Sequence, residues 1–140
     1  MTVIDGSSAN LGRLASVTAK KLLSGEQVDI INVEKIMISG NREQLIAKYR
    51  VREKARYLGN PRIGPKFYRM PQMIVKAAVR GMLPIKTTRG RESMKKFKAY
   101  LGVPNQFEAS KPKTFEEAMK GTSKKQVSVA ELSKILGAKW

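Results

Sequence analysis

Residues 2–40 read TVIDGSSANLGRLASVTAKKLLSGEQVDIINVEKIMISG, and the order of the patterns within them decides the fold class. Thr2-Val3-Ile4-Asp5 is a short β-rich run that stops at Gly6. Asn10 stands where a helix N-cap belongs, with a side-chain oxygen suited to a free amide of the first turn. Leu11, Leu14, Ala15, Thr18 and Leu22 follow at helical spacing on one face, and Gly25 suits the position just past that helix. Val28 to Val33 predicts a second strand and Ile36 to Gly40 a third, both too short and too β-branched to prefer helix. Strand, helix, strand in this order predicts a parallel pair joined by a right-handed crossover, an α/β architecture.

Asn41 with Gln44 resembles a capping box and opens a helix expected to reach Tyr57, with Leu45, Ile46, Tyr49 and Tyr57 on one arc. Residues 58–70 carry Gly59, Pro61, Gly64 and Pro65 and read as an extended loop too charged to be buried. Within it, Phe67 and Tyr68 suit either stacking on unpaired bases or anchoring of the loop to its own domain. Pro71 opens a helix to about Leu83, with Ile74, Ala77, Ala78 and Met82 apolar, and Pro84 ends it. Thr87-Thr88 caps a further short helix through Phe97, and Ala99-Tyr100-Leu101 predicts a fourth strand. Beyond Pro104 the pattern weakens. Thr114 with Glu117 and Ser128 with Glu131 read as capping boxes, the second opening a helix with Val129, Leu132 and Leu136 on one face, and residues 121–125 read as a linker. The expected organisation is an α/β domain over residues 1–104 and an extension with short helices over 105–140.

Composition narrows the chemistry. The 140 residues include no cysteine and no histidine, which removes thiolate and imidazole nucleophiles, general bases and nearly all zinc sites. No cofactor, metal or small-molecule substrate is expected. No apolar run suggests a membrane span and the first residues lack a signal layout, so a cytoplasmic location is expected. The formal net charge is +17, and it is concentrated. Residues 1–40 are neutral, residues 41–98 hold 17 basic and 3 acidic side chains, and residues 99–140 hold 7 and 4. A solvated surface would spread its charge, so a polyanion is the expected partner. A membrane anchor would need a wide continuous apolar face, which the charges interrupt.

The candidate contacts follow from this map. They are Arg42, Lys48, Arg50, Arg52, Lys54 and Arg56 in the helix after Asn41, and Arg62, Lys66 and Arg69 in the loop. Lys76, Arg80, Lys86, Arg89, Arg91, Lys95, Lys96 and Lys98 complete the set.

One competing class is a nucleotide-using enzyme with the Gly6 to Gly12 loop as its phosphate site, since that loop lies between a strand and a helix. Its spacing fits neither the dinucleotide fingerprint nor the P-loop, with five residues between the glycines and then Arg13-Leu14. Turn geometry with close strand–helix packing at Gly12 is the simpler expectation. Asp5, Asp29 and Glu34 define no acid/base pair, and each is expected to cap or to form an ion pair.

Val79-Arg80-Gly81-Met82-Leu83-Pro84 resembles the hallmark segment of the L-thirteen family of large-subunit ribosomal proteins. Gly90-Arg91, Phe97 and Ala99-Tyr100-Leu101-Gly102 resemble the rest of that signature, and Leu11 to Ala15 and Ser39-Gly40-Asn41 resemble two earlier blocks. The resemblance covers about residues 2–104 and looks most like the archaeal branch. Phe97 stands where an aliphatic residue is usual, and residues 105–140 match nothing diagnostic. The resemblance implies a three-layer α/β/α domain with a four-stranded parallel sheet and a helical C-terminal tail. It also implies binding to large-subunit rRNA beside neighbouring ribosomal proteins, support for subunit assembly, and no enzymatic activity.

Overall fold

The computed structural model describes all residues except 1, 56, 61, 108–111, 113, 114, 116, 117 and 119–124. Thr2–Asp5 forms β1 and Val28–Ile31 forms β2; they pair in parallel with Thr2 opposite Val28 and Asp5 opposite Ile31. Between them runs α1 (Leu11–Leu23), whose cap Asn10 accepts from the Gly12 amide at 3.1 Å. The helix buries the predicted face, with Ala19 added. Gly25 lies beyond its end at φ 95°, a left-handed backbone open to glycine at little cost.

The second predicted strand stops before Val33. Asn32 adopts the left-handed region at φ 54°, which Asn tolerates better than most side chains, and Val33–Lys35 then turns as 3-10 helix. This bend carries the next segment, β3 (Met37–Ser39), out of the parallel sheet. The third place in that sheet goes to β4 (Phe97–Ala99), with Val28 opposite Phe97 and Ile30 opposite Ala99. β3 pairs instead, antiparallel, with β5 (Gln126–Ser128), Met37 opposite Ser128 and Ser39 opposite Gln126. The expectation of a four-stranded parallel sheet is therefore corrected. Among the described residues there is a three-stranded parallel sheet, ordered β1-β2-β4, and a two-stranded antiparallel ribbon.

The later helices keep only part of their expected caps and faces. α2 (Arg42–Lys54) ends short of Tyr57, and Asn41 precedes it without the side-chain hydrogen bond expected of a capping box. α3 (Pro71–Met82) buries Pro71, Ile74, Val75 and Val79, whereas the predicted Ala77 and Met82 are exposed. Most positions of α3 are apolar, so its pattern alone does not orient it. α4 (Thr88–Lys95) is capped by Thr87, which accepts from the Gly90 amide. α5 (Val129–Ile135) is capped by Ser128, which accepts from the Glu131 amide at 3.1 Å. The predicted Thr114 box and most of the predicted linker lie outside the described residues.

Every residue of β2 is buried, and successive strand residues point to opposite faces, so both faces of the central strand are covered. Ile4, Leu14, Leu22, Ile30 and Val33 sit in the same core as Val127, Val129, Leu132 and Leu136. α1 packs on α3, and α5 packs on α3 and on the Val33–Lys35 turn.

Candidate nucleic-acid interface

The amides of the Gly6 to Gly12 loop are engaged by the protein itself. The Gly6 amide donates to Ile31 O at 3.0 Å, the Ala9 amide to Gly6 O at 3.2 Å and the Asn10 amide to Ala118 O at 3.0 Å. The Ser7 amide and hydroxyl both donate to Asp5, at 2.9 and 2.8 Å, and the Asn32 side chain donates to the same oxygen at 3.1 Å. A phosphate would need those amides free and would face the Asp5 carboxylate. Burial raises that carboxyl, but the bonds from Ser7 and Asn32, with the charge of Lys35, outweigh it and hold it below its ordinary 3.8. The tight glycine is Gly6 and not Gly12, as a Cβ on Gly6 would lie 2.9 Å from Ile36 while Gly12 is exposed.

The other carboxylates have structural surroundings too. Glu34 accepts from the Gly102 amide at 3.1 Å. Asp29, on β2, is buried, and its Oδ1 has no hydrogen-bond partner among the described residues. Burial pushes its carboxyl above 3.8, partly offset by Lys98, which lies opposite in register. Among the described residues no group of three or more acidic side chains is placed to hold a metal.

The basic side chains from 41 to 98 face outward. Arg56 lies outside the described residues; of the others, Lys76 is half-buried and the rest are exposed. α2 is the most open element, with no buried residue and only Leu45, Ile46 and Tyr49 packed partly against the core. Lys48, Arg50 and Lys54 are exposed and make no hydrogen bond or ion pair to the described residues, while the Arg52 guanidinium lies 5.8 Å from the Tyr49 ring centre. Burial raises the Tyr49 phenol above 10.0 against the opposing effect of Arg52, so it stays neutral at ordinary pH.

Several of the expected RNA contacts also hold the protein together. Arg42 pairs with Glu131 of α5 at 2.6 Å, and Arg69 pairs with Glu53 of α2. Arg89 donates to Leu23 O at 2.8 Å and Lys96 to Gly25 O at 3.2 Å, so two cations from α4 and its C-cap satisfy carbonyls at the end of α1. Arg91 donates to Ile85 O and Lys86 O. An arginine has five N–H donors, so these bonds leave the side chains able to meet a phosphate. Arg62, Lys66, Lys76, Arg80, Lys86, Lys95 and Lys98 donate no side-chain hydrogen bond to the described residues.

The fold also gathers residues that are far apart in sequence. Arg52, Lys66, Arg80 and Lys86 line one cleft of about 650 Å³ between α2, the loop, α3 and the connection from α3 to α4. Tyr49, Phe67 and Tyr68 line it as well. Tyr49 reads from sequence only as part of a packing arc; the missed signal is its place one turn before Arg52.

Among the described residues no helix is long and apolar enough to cross a membrane. The family profile for ribosomal protein L13 matches residues 1–106. The large ribosomal subunit protein uL13 of Methanocaldococcus jannaschii is 43% identical over the full length of both chains, and that of Methanosphaera stadtmanae 42% over all of this chain and 99% of its own. The uL13 of Archaeoglobus fulgidus is 40% identical over 97% of this chain and 87% of its own. With the hallmark segment on α3 and its flank, and the likeness running past residue 104 to the end of α5, the chain belongs to the ribosomal protein L13 family.

Proposed function

We propose that this protein is a structural constituent of the large ribosomal subunit, cytoplasmic, which binds large-subunit rRNA and supports its assembly, with no catalytic role. The single observation that carries the rRNA contact is the outward presentation of nearly all the positive charge between Arg42 and Lys98 on a neutral scaffold. Affinity comes from phosphate neutralisation and counterion release, and specificity from the shape of folded RNA. Lys48, Arg50, Arg52 and Lys54 on α2, with Arg56, Arg62 and Lys66, form the leading contact surface. Lys76, Arg80, Lys86 and Lys95 extend it, and Lys98 lies at its margin beside Asp29. Arg42, Arg69, Arg89, Arg91 and Lys96 both hold the surface and contribute charge to it.

The same reading treats residues 1–104 as the rRNA-binding domain, with a three-layer arrangement supported by the covered faces of β2. Residues 105–140 are then an extension whose β5 and α5 close the edge of β3. Neighbouring ribosomal proteins are the second class of partner, and exposed Leu58 and Ile63 offer them apolar contact. Sedimentation of cell lysate through a sucrose gradient tests the proposal: the protein travels with the large subunit. Its absence from that peak would defeat the reading.

A further inference from the structure

The cleft between α2 and α3 differs chemically from the rest of the basic surface. Its floor is apolar, formed by Ile74, Ala78, Leu83 and Ile85, and Tyr49, Phe67 and Tyr68 stand around it. Arg52, Lys66, Arg80 and Lys86 line it too, and among the described residues no carboxylate does. An apolar protein segment matches the floor but leaves four cations uncompensated. A duplex backbone matches the cations but puts no ring against the aromatic side chains, because its bases are stacked inside. A nucleotide freed from its stack carries both a flat π-face and a phosphate. The volume of about 650 Å³ falls within the range of small-ligand pockets, roughly 300–1,000 Å³.

Gly81 supplies an independent observation. A glycine inside a helix costs about 1 kcal/mol relative to alanine, so its presence calls for a reason. Gly90 has one inside the protein, since a Cβ there would overlap the Pro84 carbonyl oxygen. Gly81 has none, because among the described residues beyond its own helix backbone and chain neighbours a Cβ there would meet no atom within 4 Å, and it opens on the cleft. Close approach of a ligand to the helix backbone accounts for it.

We propose that this cleft binds unpaired nucleotides of RNA. The bases lie against Tyr49, Phe67 and Tyr68, the phosphates meet Arg52, Lys66, Arg80 and Lys86, and the closest approach is at Gly81. The proposal rests on the rRNA-binding reading and names the part of the RNA that this site takes.

The test compares the full-length protein with Gly81→Leu, which fills the cleft without changing charge, and Phe67→Leu, which removes one ring from an exposed loop. Fluorescence anisotropy at fixed salt measures binding to a short labelled single-stranded RNA and to an RNA duplex of equal length. Each variant is expected to weaken the single strand about tenfold, the size of one missing base stack, and to leave the duplex nearly unchanged. Equal losses on both RNAs, or no loss on the single strand, overturn the proposal. If Gly81→Leu loses its circular dichroism signature, Phe67→Leu decides alone. Unchanged RNA affinities with lost large-subunit association would mark a protein segment as the occupant, which also overturns it. Failure of the unsubstituted protein to bind rRNA at all sinks the underlying reading, whereas normal rRNA binding with indifferent variants sinks only the assignment of this cleft.

Discussion

At the scale of single residues, two glycines predict opposite effects. Gly90→Ala drives a methyl group into the Pro84 carbonyl oxygen and is expected to destabilise the protein by about 1–3 kcal/mol, as overpacking does. Gly81→Ala meets open space and is expected to stabilise by up to about 1 kcal/mol through helix propensity. Urea midpoints of the free protein check both, and a loss at Gly81 would contradict the geometry. Asp29 gives a pH prediction. Its folded-state pKa is raised, so the folded protein holds that proton more tightly than the unfolded chain does. Asp29 therefore removes stability as pH rises from 3.8 through its raised value. Asp29→Asn is expected to be more stable than the parent at neutral pH, with the difference closing in acid. None of this is legible from sequence, because it depends on which atom fills the space beside each residue. Gly12 looks like the packing glycine by position, yet Ile36, thirty residues from Gly6, decides the matter.

Elements were legible where a cap and a stripe agreed. Asn10 with the face of α1 and Ser128 with that of α5 show this, because a cap is local chemistry and needs no knowledge of the tertiary partner. α4 had its Thr87 cap but no apolar stripe, and it ends at Lys95, short of the expected Phe97, which belongs to β4. The third strand was legible as a strand but not as a member of a sheet. Its β-branched residues say extended, while its partner is Gln126-Val127-Ser128, a run with one apolar residue and no strand signal of its own. α2 was legible as a charged helix, and its shallow seating follows from having so few apolar residues. Its lack of buried residues predicts faster amide exchange in α2 than in α1 in the free protein, slowed once RNA is bound, measurable by hydrogen–deuterium exchange. α5 predicts the reverse of a dispensable tail. Leu132 is fully buried, and Leu132→Ala is expected to cost about 2–5 kcal/mol. The Ser133 hydroxyl donates to Arg69 O at 2.7 Å and accepts from the Trp140 indole at 2.9 Å, so Ser133→Ala is expected to cost about 1–3 kcal/mol by orphaning both.

For the molecule as a whole, the charge map was legible by counting, and the structure adds which cations are already engaged. Replacing Arg50, Arg52, Lys54 and Arg56 by neutral residues is expected to flatten the salt dependence of rRNA binding by about 0.7–0.9 for each phosphate left without its cation. Replacing Lys20, Lys21 and Lys35 is expected to change it little, and Lys21 already has Glu26 at 3.5 Å. Equal effects from both sets would contradict the division of the chain into scaffold and contact surface. The cleft was not legible, since four segments must fold together before it exists. The β3–β5 ribbon, finally, has a consequence in time. A chain made from its N-terminus has completed the whole basic stretch before Gln126-Val127-Ser128 exists to pair with β3 and before Glu131 and Ser133 exist to grip Arg42 and Arg69. Until then β3 lacks its pairing strand and the Arg42 and Arg69 segments lack these partners, so synthesis of the closing ribbon is the step that ties the basic stretch to the scaffold.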